Sequence, residues 1–210
     1  MTKEEENIAL QQGKMLPVME HFYTLQGEGA HTGKAAYFIR LGGCDVGCHW
    51  CDVKESWDPN LHPLMNAEEI AETAARHCKT IVLTGGEPLM WNLDILTKKL
   101  KELGCQIHIE TSGAYPLSGT LDWITLSPKK TGLPQEEIYA KASELKVIIF
   151  NQHDFTFAEE QRKKVSDHCK LYLQSEWSKR EHMYPQITDF ILAHPEWQAS
   201  VQTHKYLNIP

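Results

Sequence analysis

Short apolar runs of strand length recur along this chain, separated by stretches with helical spacing, and that alternation constrains the fold more than any other feature. The run at 80–84 is unbroken, as in strands buried on both faces. Further strands are predicted at 16–25, 37–41, 106–109, 123–126, 145–150, 170–173 and 198–201. Asn66, with Glu69 three residues on, has capping-box spacing and opens a helix running towards His77. Asn92 can cap the next helix and Gly104 can end it in the left-handed conformation. Other helical stretches lie near 135–142, 157–168 and 186–193, while the first residues and the segment around Pro59 and Pro63 read as polar and irregular. Strands that alternate with helices call for a parallel sheet with right-handed crossovers. About six strand–helix repeats fall short of the ~250 residues of a complete eight-fold barrel. The expected architecture is therefore α/β, a partial (open) parallel β/α barrel, with residues 1–210 forming one domain.

The unusual polar segments follow strands: Thr84-Gly85-Gly86-Glu87-Pro88, Glu110-Thr111-Ser112-Gly113, Ser127-Pro128-Lys129, Gln174-Ser175-Glu176 and Gln202-Thr203-His204. Ligands bind at the carboxyl ends of parallel strands, so all five segments are expected on one rim.

Three of the six cysteines crowd into Cys44-Asp45-Val46-Gly47-Cys48-His49-Trp50-Cys51. Metal or redox chemistry is the expected use, because the acidic N-terminus shows no apolar leader and a cytoplasmic location is the default. Cys78, Cys105 and Cys169 are isolated and read as small apolar residues. A net charge of −7 argues against direct nucleic-acid binding, and no apolar run approaches the ~20 residues that span a bilayer.

The spacing C-x3-C-x2-C lets three thiolates wrap one side of a cubane, each on a different iron, leaving one iron open for a substrate. A structural zinc site would want a fourth ligand, and His49 is the nearby alternative. The spacing resembles that of the radical S-adenosylmethionine superfamily, as do Trp50 before the last cysteine and Gly85-Gly86-Glu87-Pro88 after a strand. The resemblance implies a barrel of the radical SAM type and a [4Fe–4S] cluster on Cys44, Cys48 and Cys51. It also implies that reductive cleavage of S-adenosylmethionine yields a 5′-deoxyadenosyl radical that abstracts a substrate hydrogen.

Phe22-Tyr23-Thr24-Leu25-Gln26-Gly27-Glu28-Gly29, Phe38-Ile39-Arg40-Leu41, Ser127-Pro128-Lys129 and the closing Gln202-Thr203-His204-Lys205-Tyr206-Leu207-Asn208-Ile209-Pro210 resemble the 7-carboxy-7-deazaguanine synthase family, from about residue 16 onward. That family contracts 6-carboxy-5,6,7,8-tetrahydropterin to a deazapurine precursor of queuosine with loss of ammonia. The resemblance implies substrate contacts from Leu25, Gln26, Gly27, Arg40, Thr84 and the carboxylate of Pro210, with Glu28 a further candidate. It places Trp50, Cys51, Asp52, Gly86, Ser127, Pro128, Lys129, Gln174, Ser175, Glu176 and Trp177 against S-adenosylmethionine. Glu110 and His204 are candidates for proton transfer. An electron donor of the flavodoxin or ferredoxin kind and a homodimer are implied in the same way.

Elementary chemistry is compatible with this assignment, since Arg40 can clamp a carboxylate through two parallel hydrogen bonds. Arg40 could equally form a surface ion pair, and His204 could be a satisfied core histidine. One departure concerns magnesium. The family commonly carries Cys-Asp-Thr, whose threonine helps to bind the ion, where this chain has Cys51-Asp52-Val53. Valine offers no oxygen to a hard cation. Magnesium would rest on substrate oxygens and water, or this chain depends on it less. Rival readings are an activase acting on a partner protein and a zinc-stabilised binding module.

Overall fold

The computed structural model describes residues 2–210. Its elements run α1 (Lys3–Gln11), β1 (Met15–Leu25), β2 (Ala35–Leu41), β3 (Leu64–Asn66), α2 (Ala67–His77), β4 (Thr80–Gly85), α3 (Asp94–Glu102), β5 (Gln106–Thr111), β6 (Trp123–Leu126), α4 (Glu136–Lys141), β7 (Glu144–Ile149), α5 (His153–Arg162), β8 (Lys170–Ser175), α6 (Arg180–Ala193), β9 (Trp197–Ser200) and α7 (Thr203–Leu207). Among the described residues the strands form one open sheet in the order β3-β1-β2-β4-β5-β6-β7-β8-β9. From β2 onward every pairing is parallel, as the alternating pattern requires. The exceptions are β1, antiparallel to β2 with Phe22 opposite Phe38, and β3, antiparallel to the start of β1. The partial parallel β/α barrel is thus the architecture.

The side chains along each strand divide by alternation. Ile81, Leu83, Ile107, Ile109, Leu145, Val147, Leu171 and Leu173 point to the helix layer and join Ile70 and Ala74 of α2 and Leu96 and Leu100 of α3 in one buried cluster. Burying each large aliphatic side chain contributes about 1.5–3 kcal/mol. Many of the alternate positions are polar and buried, among them Thr84, His108, Thr125, Glu144, Lys146, Gln174 and Ser200, while Val82 packs with Ala36 and Phe38 in a small apolar cluster. Burying that many polar groups is costly unless they are partnered, so much of the barrel interior is a hydrogen-bonded network beside that small apolar cluster.

The loop after β1 closes the open side of the sheet. Its Gly29 N–H donates to Ser200 Oγ at the far edge (2.9 Å) and its Ala30 N–H to Glu144 Oε2 (3.1 Å). Gly27 accepts at its carbonyl from the N–H (2.9 Å) and the hydroxyl (3.0 Å) of Thr203. A Cβ on Gly27 would lie 2.1 Å from His204 Nδ1, so this close approach requires glycine.

Several sequence expectations are corrected. The polar N-terminal stretch forms α1, held by a complete capping box between Thr2 and Glu5. The proline-rich segment contains β3. Asn66 caps α2 through the Glu68 and Glu69 N–H groups, without the reciprocal half of the box. Asn92 sits one residue before the cap position of α3 and bonds the Asp94 N–H at 2.9 Å, while Gly104 does adopt φ +74 after that helix. α5 begins four residues before the expected 157, where Asp154 Oδ2 takes the Phe150 and Asn151 N–H groups (2.8 and 2.9 Å). α6 begins at Arg180, six residues before the expected 186, and carries Pro185 in its interior. α7 was expected only as a polar segment. No helix among the described residues is long and apolar enough to cross a membrane.

Candidate active site

All five polar segments reach one rim and line a cavity of about 440 Å³. Every candidate site residue lines it except Pro128, whose ring sits in the turn between Ser127 and Lys129, both of which do.

The cysteine loop forms one wall. Cys44, Cys48 and Cys51 are unbridged and partly buried, and all open onto the cavity. The loop is folded by the Cys51 N–H donating to the Cys48 carbonyl (3.1 Å) and the Cys44 N–H donating to that of Trp57 (3.1 Å). Outside the cavity, Tyr115 donates to Asp45 Oδ2 at 2.5 Å, anchoring the loop to the barrel. Burial pushes the Cys44 and Cys48 thiols up, so thiolates here need a compensating cation. Among the described residues no three His, Cys, Asp or Glu side chains close around a point as one metal ion requires. Three thiolates spread over a loop suit a polynuclear cluster, where each bonds a different iron.

The glycine pair after β4 lets the barrel approach this loop. The Gly86 N–H donates to the Leu41 carbonyl (2.9 Å) and the Glu87 N–H to that of Gly43 (2.8 Å). A Cβ on Gly86 would meet Gly43 O at 2.3 Å and Cys44 Cβ at 2.8 Å. The Glu87 carboxylate, 1% exposed, accepts from the Leu89 N–H (3.0 Å), Thr111 Oγ1 (2.5 Å), and the N–H (2.7 Å) and Oγ (2.5 Å) of Ser112. It pins the end of β4 to that of β5. Lys129 completes this side: its Nζ donates to the Ser127 carbonyl (2.7 Å) and lies 5.5 Å from the centre of the Trp50 ring. Burial pushes its ammonium down to about 8, against the pull of Cys48.

The opposite wall is a polar network. Gln26 Nε2 donates to Glu110 Oε1 (2.9 Å), and Thr84 Oγ1 donates to Glu110 Oε2 (3.3 Å). Glu28 pairs with Lys146 and accepts from Gln202 Nε2 at 2.9 Å. Burial alone would raise the Glu28 carboxyl, but the Lys146 charge and these hydrogen bonds hold it well below the usual range. Lys146 is held correspondingly high, against its own burial, by Glu28, Glu110 and Glu144. Arg40 donates through Nε to Glu20 Oε1 (2.7 Å), which is the ion pair weighed as an alternative. Its Nη groups make no hydrogen bond among the described residues, so pairing with Glu20 leaves the fork free at the cavity wall. His204 is half-buried, and burial pushes its imidazole below the usual range, so it is neutral at pH 7. Gln174 Oε1 accepts from Ser200 Oγ (2.6 Å), and Glu176 caps the turn at Trp177.

Sequence reasoning missed Lys146 and the stacked pair Phe22 and Phe38 (5.6 Å, 8°) on the cavity wall. The signal for Lys146 was available. Glu144 and Lys146 stand two apart in an apolar strand, which aims both at one face. Cys78, Cys105 and Cys169 do not line the cavity.

Comparison with known proteins identifies the family. Residues 38–129 match the model of the radical SAM superfamily. The 7-carboxy-7-deazaguanine synthase of Flavobacterium psychrophilum is 61% identical over 210 residues, covering all of both chains. The chain belongs to the 7-carboxy-7-deazaguanine synthase family. Members from Synechocystis sp. (52% identical, 92% of this chain and 93% of that one) and Escherichia coli (32%, 92% and 98%) extend the likeness. The crystal structure of QueE from Escherichia coli superposes with a TM-score of 0.79 at 29% identity, covering 93% of this chain and 97% of that one. Membership of the radical SAM superfamily implies a [4Fe–4S] cluster and S-adenosylmethionine. The unbridged thiols, the glycine pair that lets the barrel meet their loop, and the open cavity beside them fit that pair of groups.

Proposed function

We propose that this chain converts 6-carboxy-5,6,7,8-tetrahydropterin to 7-carboxy-7-deazaguanine with loss of ammonia, a step towards queuosine and related 7-deazapurines. The observation that carries this reading is one cavity lined at once by the three thiols and by Arg40, Gln26, Glu110 and Pro210. Substrate and product differ by ammonia alone, so the conversion is redox-neutral overall. Anaerobic incubation with the carboxylated tetrahydropterin, a reductant and S-adenosylmethionine tests it. The deazapurine acid is expected by mass spectrometry, and its absence from cluster-loaded protein that cleaves S-adenosylmethionine would overturn the substrate assignment.

When bound, the cluster and S-adenosylmethionine supply one-electron cleavage and hydrogen abstraction. Cys44, Cys48 and Cys51 hold the cluster. Trp50, Asp52, Gly86, Ser127, Lys129, Gln174, Ser175, Glu176 and Trp177 form the S-adenosylmethionine side, with Pro128 fixing the turn between two of them. On the substrate side Arg40 clamps the carboxylate, while Leu25, Gln26, Gly27, Thr84 and Pro210 meet the ring and its polar edge. Glu28, locked to Lys146, fixes the loop that carries these contacts. Ring contraction and ammonia loss require protons to move. Glu110 can hold one at its carboxylate oxygens, and His204, neutral at pH 7, can accept one at a ring nitrogen. A flavodoxin- or ferredoxin-type carrier supplies the electron, and the assembly is a homodimer.

Two outcomes follow. Arg40→Ala removes a charge-assisted fork worth about 1.5–3 kcal/mol, so the pterin dissociation constant rises about 10- to 150-fold by calorimetry. Iron content stays at the wild-type level, and loss of iron would contradict a substrate-side role. Magnesium finds no side-chain oxygen at Val53, whose carbonyl already accepts from the N–H and hydroxyl of Ser56, and neighbouring Asp52 is already paired with Lys205 at 2.8 Å. These residues do not fit the ion, so turnover in chelator is expected to stay within about twofold of that with magnesium. A strict magnesium requirement would refute this.

A further inference from the structure

The segment 203–210 forms part of the cavity wall, through His204, Lys205 and Pro210, yet little of its own structure holds it there. α7 has five residues and buries none of them. A helix this short is unstable alone and depends on tertiary anchors. One anchor is the pair of hydrogen bonds from Thr203 to the Gly27 carbonyl, on the substrate side. Another is Tyr206, whose ring meets Trp177 edge-on at 5.3 Å. The anchor that reaches the cysteine loop is Lys205, whose Nζ donates to Asp52 Oδ2 at 2.8 Å and lies 5.0 Å from the centre of the Trp177 ring. Asp52 follows Cys51 directly, and Trp177 leads the turn after β8. One ammonium therefore ties the thiol side of the cavity to the segment that carries His204.

We propose that Lys205 is a positioning residue that joins the two halves of the cavity, holding segment 203–210, and with it His204, in register with the cysteine loop. The ion pair alone is half-exposed, and exposed pairs contribute little by themselves. Its effect comes from where it is placed: it fixes a five-residue helix that has no buried side chain. Arginine keeps the charge and the stacking on Trp177, whereas glutamine ends one atom short of the lysine nitrogen and loses both.

The inference rests on the pterin reading for its ligand, but its first test does not. In cluster-free protein, Lys205→Gln is expected to speed amide hydrogen exchange in 203–210 about tenfold, with the strands unaffected. Lys205→Arg is expected to match wild type. Equal exchange in wild type and Lys205→Gln would overturn the proposal. So would faster exchange spread over the whole chain, since that is general destabilisation. A second test loads the protein with cluster and measures both Michaelis constants. Lys205→Gln raises those for S-adenosylmethionine and for the carboxylated tetrahydropterin together and lowers kcat as His204 moves with the segment, with rescue by Lys205→Arg. A change in kcat alone would contradict a positioning role. Wild-type protein that turns over no pterin would instead sink the proposed function, leaving the exchange result to decide the role of Lys205.

Discussion

Lys146→Met is expected to lower the melting temperature by about 10 °C, the largest stability effect of any single change considered. Removing one partner of a buried ion pair leaves the other charge uncompensated, at a cost of about 3–5 kcal/mol. Each kcal/mol shifts the midpoint by about 2–4 °C in a chain of this size. Lys146 pairs with Glu28, whose other oxygen accepts from Gln202. Glu28 belongs to the loop that closes the open side of the sheet, so the loss propagates to the Gly29 and Ala30 anchors. Adding Glu28→Gln removes the orphaned charge and should restore more than half of the lost stability. The Glu28 carboxyl is held low, so its contribution is complete above about pH 4.3 and is lost as pH falls further. The Lys146 ammonium is held high, so its contribution is complete below about pH 10.4 and is lost above it. The difference from wild type should be flat across neutral pH. A melting point within about 2 °C of wild type would mean the pair does not organise the interior.

Gly86→Ala is expected to strip the protein of iron while leaving the fold in place. The added carbon would meet Gly43 O at 2.3 Å and Cys44 Cβ at 2.8 Å. Both belong to the chain leading into the cysteine loop, so neither can swing aside as a flexible side chain could. Overpacking of this kind costs about 1–3 kcal/mol. The relief available is to push Cys44 away from its two partners, and a shift of that size lowers retained iron about tenfold after anaerobic reconstitution. Circular dichroism should stay that of the wild type. Full iron incorporation would show that the loop has more room than its backbone contacts suggest.

Much of this was legible in the residues. The apolar runs that became β4, β5 and β8 are continuous or alternate cleanly, and the helices between them leave a parallel sheet as the simplest closure. The rim was legible because Gly85-Gly86-Glu87-Pro88 and Ser127-Pro128-Lys129 are poor segments for anything but turns with a purpose. α1 was missed because Glu4, Glu5 and Glu6 look like a solvated tail, although Thr2 and Glu5 already had capping-box spacing. β3 spans three residues and exists through pairing with β1, a long-range contact that no local pattern announces. α6 starts six residues before the expected 186, and Pro185 sits inside it at an exposed position, where it costs one hydrogen bond without ending the helix. The polar interior was hidden for another reason. Glu144 and Lys146 look like solvated charges until the register places them opposite the loop carrying Glu28, and that loop is tied in from more than a hundred residues away.

The central claim is that three thiolates leave one iron open to S-adenosylmethionine. Its most direct test is the release of 5′-deoxyadenosine from dithionite-reduced, cluster-loaded protein given S-adenosylmethionine and the carboxylated tetrahydropterin, measured by mass spectrometry. The account predicts release that needs the reductant and is abolished by alanine at any one of Cys44, Cys48 or Cys51. Protein that holds a four-iron cluster on those cysteines and yet releases no 5′-deoxyadenosine would contradict it.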